Sequence, residues 1–237
     1  WGEISTLAPP RHRRIRKSRR FGGCGCEPRV VRHCLPVRGE GTKPVAFPAD
    51  LGKRLDPVGA ALPDPEPFKH AAVLALIMPQ VDARGERLLL IERSQRLSTH
   101  AGQLAFPGGK REPHDRDLLD TALRESHEEV GLCREEVRVL GRLESVPTPT
   151  GFVIVPFVAR VLSSWVPSPT SPEVAAILLP SVGELCDPGI HRVTDIRRWK
   201  GRDYHLHEFR IYDPPLWGAT ARMTYDLLER ASLVGAV

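Results

Sequence analysis

The spacing of apolar and polar positions changes several times along the chain, and each change marks an element. Ala71-Ala72-Val73-Leu74-Ala75-Leu76-Ile77-Met78 is an unbroken apolar run ending at Pro79. A run of this length suits a strand buried on both faces. Asp82-Ala83-Arg84-Gly85 then reads as a turn and Glu86 to Arg93 as the returning strand of a hairpin. From Leu118 the spacing becomes three and four. Leu118, Leu119, Ala122, Leu123 and Val130 share one side of a helix that Asp115 or Asp117 can cap and Gly131 can stop. Val137 to Val146 and Phe152 to Val161 read as two strands. The link between them, Pro147-Thr148-Pro149-Thr150-Gly151, is either the border of a pocket or a plain hairpin connection.

The C-terminal third alternates more regularly. Pro172 to Pro180 contains a short strand, and Ser181 caps a brief helix through Leu185. His191 to Lys200 and Tyr204 to Tyr212 form a hairpin turning at Gly201-Arg202-Asp203. Trp217 opens a last helix, packing at its start, with Met223, Leu227 and Leu228 on one side. Strands interleaved with two main helices predict an α/β domain over residues 70–234. Residues 45–69, rich in proline and with one amphipathic piece near Leu51–Leu55, read as a lead-in segment.

Charge changes the picture at the N-terminal end. The 237 residues carry a net +5, but residues 1–44 hold +8 and the remainder −3. Arg11 to Arg20 is a basic run with almost no apolar partner, so residues 1–44 are expected to be a disordered tail. A basic arm on nucleic acid is the competing reading, but the mildly acidic domain makes nucleic acid an unexpected partner. No apolar run approaches the ~20 residues of a membrane span. Cys24-x-Cys26…His33-Cys34 has zinc-ligand types without the spacing of a structural zinc site. Five cysteines without a signal peptide point to reduced thiols and a cytoplasmic protein.

The chemistry concentrates between Gly102 and Leu132. At about 100° per residue, Glu125, Glu128 and Glu129 occupy roughly a quadrant to a third of the helix circumference, beside its apolar side. Three acids along a buried edge repel one another unless a cation sits among them, and oxygen ligands suit Mg²⁺ or Mn²⁺. Gly108-Gly109, just before the helix, lets backbone approach a ligand closely. Arg124 can pair with Asp120 or with the carboxylates beside it.

These residues resemble a known family. Arg124-Glu125-x-x-Glu128-Glu129-x-Gly131-Leu132 is similar to the second half of the Nudix box, G-x5-E-x7-R-E-U-x-E-E-x-G-U, where U is bulky and aliphatic. In the first half Lys110 and Arg116 stand at the expected Gly and Glu, so the glycine is Gly109 and the acid role passes to Asp115 or Asp117. Ser126 replaces an aliphatic residue. Upstream, Leu89-Leu90-Ile91-Glu92-Arg93-Ser94 and the run through Leu97, His100, Gly102-Gln103 and Phe106-Pro107-Gly108-Gly109 resemble the added signature of the coenzyme A pyrophosphatase branch. Ser98 stands where that signature has its second arginine.

The resemblance implies an α/β/α sandwich with a curved mixed sheet and metal-dependent hydrolysis of a pyrophosphate bond in a nucleoside diphosphate derivative. Coenzyme A and its acyl or oxidised forms are the first expectation; ADP-ribose, dinucleotides and nucleoside triphosphates are the alternatives. Glu125 and Glu129 would bind Mg²⁺ or Mn²⁺, Glu128 would be a third ligand or the general base, and Arg124 would fix the carboxylates. Arg93 would contact phosphate, His100 and Gln103 would hold the loop or contact phosphate, and Gly108 and Gly109 would line the substrate. A non-catalytic nucleotide-binding module and a nucleic-acid binder are the readings from other classes. The expected partner is a small nucleotide, with no membrane and with a homodimer left open.

Overall fold

A computed structural model describes residues 31–32, 44–61, 69–79, 85–162, 165–199 and 202–235. The rest of the basic tail, with Cys24, Cys26, His33 and Cys34, and the turn residues 82–84 lie outside the described residues. In chain order the strands begin with β1 (Val31–Arg32), β2 (Lys69–Met78), β3 (Arg87–Leu88) and β4 (Leu90–Arg93). β5 (Leu104–Ala105) and β6 (Gly108–Lys110) lead into helix α1 (Leu118–Val130). Then come β7 (Val137–Arg142), β8 (Val146–Pro147), β9 (Phe152–Val161), β10 (Val174–Leu178) and α2 (Val182–Leu185). The hairpin β11 (His191–Trp199) and β12 (Arg202–Phe209), β13 (Leu216–Trp217) and α3 (Gly218–Arg230) finish the chain.

β2 is the centre. Its long apolar run pairs in parallel with β9 from Lys69↔Phe152 to Ile77↔Arg160, and antiparallel with β3 at one end and β6 at the other. Alternate β2 residues serve opposite layers. Ala72, Leu74 and Leu76 pack with Ala122, Leu123 and Val130 of α1. Ala75 and Ile77 join the second core, with Ala221, Met223, Leu227 and Leu228 of α3. A helix therefore covers each face of a mixed sheet, the α/β/α sandwich expected.

Several elements differ from the sequence reading. The returning strand is split. Arg87–Leu88 pairs with β2, whereas Leu90–Arg93 crosses to a second sheet ordered β1-β10-β4-β5. Leu88, Leu89, Leu90 and Ile91 are all buried, so no alternation marks the crossing. The strand from Val137 stops at Arg142 after a register shift at Gly141. The Pro147–Gly151 link is a hairpin connection: Pro147 pairs with Val153, and Thr148 N–H donates to the Phe152 carbonyl (2.8 Å). Arg202 and Asp203 are strand residues paired with Trp199 and Arg198, not turn. Trp217 precedes the helix as part of β13 and is half exposed.

The lead-in segment belongs to the core. Phe47, Leu51 and Leu55 are buried in the α3-side cluster. Glu86 anchors them: its carboxylate accepts from Phe47 N–H (2.7 Å) and is paired with Arg160 of β9. Val31–Arg32 adds a parallel edge to β10.

Candidate active site

α1 begins where Asp117 accepts a hydrogen bond from Asp120 N–H (2.8 Å), and it ends at Gly131 in the left-handed region (φ 73°). Of the two candidate caps, Asp117 takes the cap, which frees Asp115 for a different task. Asp115, only 4% exposed, accepts from Glu112 N–H (2.8 Å), from Thr121 Oγ1 (2.9 Å) and from Arg124 Nε (2.9 Å). The Arg124 guanidinium holds this carboxyl far below the usual carboxylate range.

Arg124 is thereby locked from one side and reaches the acids from the other. Its Nη2 lies 3.1 Å from Glu125 Oε1 and 3.3 Å from the Lys110 carbonyl, and its Nη1 lies 3.3 Å from Glu128 Oε2. The alternative partner, Asp120, pairs with Arg116 instead (2.6 Å). Arg124 thus bridges Asp115, Glu125 and Glu128.

The three glutamates sit in different surroundings. Glu129 is buried, and its Oε2 accepts from Gly108 N–H (2.9 Å). Burial pushes its pKa up to about 7 against that hydrogen bond, and repulsion from Glu125 adds to the rise. Glu125 is mostly buried, and burial raises its pKa in spite of Arg124. Its carboxylate lies against the glycine turn: a Cβ on Gly109 would sit 2.4 Å from Glu125 Oε1. Glu128 is exposed and turns toward Arg124. Glu125 and Glu129 thus flank Gly108–Gly109, while Glu128 stands one step outside.

β6 and the turn before it are held against β2, with Gly108 paired to Val73 and Gly109 to Ala72. A Cβ at Gly108 would lie 2.3 Å from the Ala72 carbonyl oxygen, so only glycine lets this strand lie so close. Arg93, at the end of β4, is close enough to Glu129 to oppose its protonation. Its Nη2 pairs with Glu173 at 3.6 Å and its Nε is buried without a hydrogen-bond partner. Glu173, on the loop before β10, was not among the expected residues; it reaches the site across 80 positions of sequence from Arg93, and no local pattern marks it. His100 and Gln103 bond each other (Nδ1···Oε1 2.9 Å) in the loop joining β4 to β5.

Among the described residues, no three His, Cys, Asp or Glu side chains are drawn together closely enough to enclose an ion. The residues still fit a divalent cation. Mg²⁺ is commonly held by one or two carboxylates together with waters and substrate phosphates. Glu125 and Glu129 supply two oxygen donors at the glycine turn, and a cation there would offset the burial and mutual repulsion that raise their pKa values.

Comparison with known proteins gives the family. The NUDIX domain family matches residues 69–203. An uncharacterized Nudix hydrolase, NudL, of Photorhabdus laumondii is 32% identical over 165 residues, covering 70% of this chain and 86% of that protein. A protein of the same description from Yersinia enterocolitica is 35% identical over 164 residues, covering 69% of this chain and 82% of its own length. Among solved structures, a Nudix hydrolase from M. smegmatis, RenU, aligns at TM-score 0.49 with 20% identity, covering 72% of this chain and 89% of that one. With the glutamate-bearing helix set against its glycine turn and this family match over more than half its length, the chain belongs to the Nudix hydrolases, enzymes that cleave phosphorus-containing anhydrides.

Proposed function

We propose that the chain hydrolyses the diphosphate bond of coenzyme A or its acyl or oxidised forms, releasing 4′-phosphopantetheine and adenosine 3′,5′-bisphosphate. The observation that carries the reading is the placement of Glu125 and Glu129 on either side of Gly108–Gly109. That turn closes the Leu89–Gly109 signature, which resembles the coenzyme A pyrophosphatase branch. A diphosphate repels incoming hydroxide, so its cleavage needs positive charge at the phosphates and an oriented water. Mg²⁺ or Mn²⁺ would supply that charge and lower the pKa of the attacking water.

The chain's own residues do the rest. Glu125 and Glu129 would hold the cation, and Glu128, exposed beside them, would serve as a third ligand or take the proton from the attacking water. Water adds its oxygen to one phosphorus, the bridging P–O bond breaks, and the leaving phosphate carries away the electron pair. Arg124 keeps Glu125 and Glu128 in place from its anchor on Asp115. Arg93 offers its guanidinium to a phosphate, with Glu173 holding it meanwhile. His100 and Gln103 keep the β4–β5 loop in shape through their mutual hydrogen bond, and the Gly108–Gly109 backbone lies against the substrate.

Incubation of the purified protein with coenzyme A, ADP-ribose, NADH and nucleoside triphosphates, each with Mg²⁺ and Mn²⁺, tests the assignment. Release of adenosine 3′,5′-bisphosphate from coenzyme A, faster than any cleavage of the others, is expected. Preference for a substrate lacking the pantetheine arm would overturn the assignment.

A further inference from the structure

The β11–β12 hairpin carries an open edge. β11 stands at the end of the order β11-β12-β13, and among the described residues no strand pairs along its outer side. Thr194 to Arg198 are all exposed, with Ile196 at their centre 57% exposed. An edge strand of nine residues offers backbone donors and acceptors to any other strand, and proteins usually guard such an edge with charge, proline or a bulge. A bulge is present between Val193 and Asp195, and it confines further pairing to the stretch from Thr194 onward. The charges beyond it are of both signs, and their order matters.

Two arginines of the strand are engaged with β12: Arg192 pairs with Glu208 (2.7 Å) and Arg198 with Asp203 (3.5 Å). Asp195 and Arg197, both mostly exposed, turn to each other (Nε···Oδ2 3.2 Å), and Asp195 Oδ1 also accepts from Ile196 N–H (2.8 Å). An exposed ion pair of this kind contributes little where it stands. The run Asp195-Ile196-Arg197 complements itself, however. When a second β11 lies antiparallel across a two-fold axis at Ile196, Asp195 faces Arg197 of the copy and Arg197 faces its Asp195. Ile196 then faces Ile196, and Thr194 faces Arg198. Moving the axis by one residue sets Asp195 against Asp195 or Arg197 against Arg197. Opposite charges across a strand pair stabilise it and like charges oppose it, so the charge order selects the register centred on Ile196.

We propose that this edge joins a second copy of the chain in a two-fold dimer centred on Ile196. Such a pairing uses the same surface on both copies and therefore closes at two. The backbone ladder holds the copies together, the Ile196 pair leaves water, and the Asp195–Arg197 pairs, exchanged between copies, fix the register. Five residues a side make a small interface, so half-association is expected on the order of 10 µM. The dimer is independent of which diphosphate the chain cleaves.

Sedimentation of the full chain over a concentration series bracketing that value is the test. The wild type should pass from monomer to dimer, and a monomer throughout would overturn the proposal. Arg197→Asp sets acid against acid and should weaken the dimer about tenfold or more. Asp195→Arg/Arg197→Asp restores opposite charges in the reverse order and should return the dimer to near wild-type strength. Ile196→Lys should weaken it, and added salt should narrow the difference between Arg197→Asp and the wild type. All three positions are exposed, and circular dichroism checks the fold. A dimer that none of these changes moves uses another surface, and the proposal fails. It fails equally if the single and double charge variants are weakened alike, because charge order then does not set the pairing.

Discussion

Two thirteen-residue helices on opposite sides of the central sheet, α1 and α3, both cover buried ionisable groups, and they treat them in opposite ways. Under α3, His207 is 1% exposed and fully engaged. Its Nε2 lies 3.3 Å from Arg222 Nη1, which can only donate, so its Nδ1 carries the proton and donates to His191 Nε2 (2.9 Å). Tyr225 stacks on both rings, with centroids 4.7 Å from His191 and 4.3 Å from His207. Burial and the neighbouring cation lower the His207 pKa to about 3, so the ring stays neutral and satisfied. Under α1, Glu129 is as deeply buried, but its main protein donor is one backbone N–H and its neighbour is another acid. The first arrangement is complete in itself. The second is not: Arg93 acts on Glu129 only from a distance and burial still raises its pKa, a perturbation of the kind that clusters at sites that work with something else bound.

The largest effect that would break this contrast is on turnover. Glu129→Gln keeps the shape and can still accept from Gly108 N–H, but it removes the charge. The rate of diphosphate hydrolysis at saturating metal should drop by several orders of magnitude with the fold intact. A variant of near-normal rate would place Glu129 outside the chemistry and make the two faces alike.

Arg124→Lys sharpens the comparison within α1. Lysine keeps the charge but not the fork that spans Asp115, Glu125 and Glu128 at once. Turnover should decline about 10–100-fold, the usual cost of losing a residue that orients a ligand. The loss should appear in kcat more than in KM for the nucleotide. A change confined to KM would instead put Arg124 on the substrate.

How much of this was legible in the sequence follows the same divide between local and distant order. β2 and α1 could be read because their signals are local: an unbroken apolar run, and a helix stripe with an acidic cap and Gly131. The choice between Asp115 and Asp117 could not, because both precede the helix and only three-dimensional packing brings Thr121 and Arg124 onto Asp115. Leu51 and Leu55 show as a short amphipathic piece, but one turn of spacing does not say which core it joins, and Phe47 stands alone before a proline. Glu173 is brought to Arg93 by the pairing of β10 with β4, from a segment far away in sequence where no spacing rule reaches.

Under α3, on the β11–β12 hairpin, His207→Ala removes a stacked ring and leaves Arg222 facing no acceptor there. Urea unfolding should register a loss of roughly 3 kcal/mol, while hydrolysis per folded molecule stays unchanged. A variant of full stability and lowered kcat would show that the α3 face takes part in the reaction.

The smallest effect tests the contrast through protons, because the two buried groups depend on pH with opposite sign. Glu129 titrates near 7 in the folded chain against an ordinary 4.5, so the folded state binds the extra proton between those values. Its contribution to stability is present at low pH and is lost as pH rises from about 4.5 through 7. His207 titrates near 3 against an ordinary 6.5, so its contribution is present above 6.5 and is lost as pH falls toward 3. Without metal, Glu129→Gln should therefore melt close to the wild type at pH 5 and a few degrees above it at pH 8, each kcal/mol being worth about 2–4 °C in a chain of this size. The deficit of His207→Ala should run the other way, narrowing as the buffer is taken below pH 6.5. Adding Mg²⁺ at pH 8 should stabilise the wild type and close the gap to Glu129→Gln, because the cation offsets the charge that burial penalises. Melting differences that stay flat with pH for both variants would mean the two carboxylate and imidazole environments are alike, and the perturbed carboxylate under α1 would no longer distinguish a working face from a structural one.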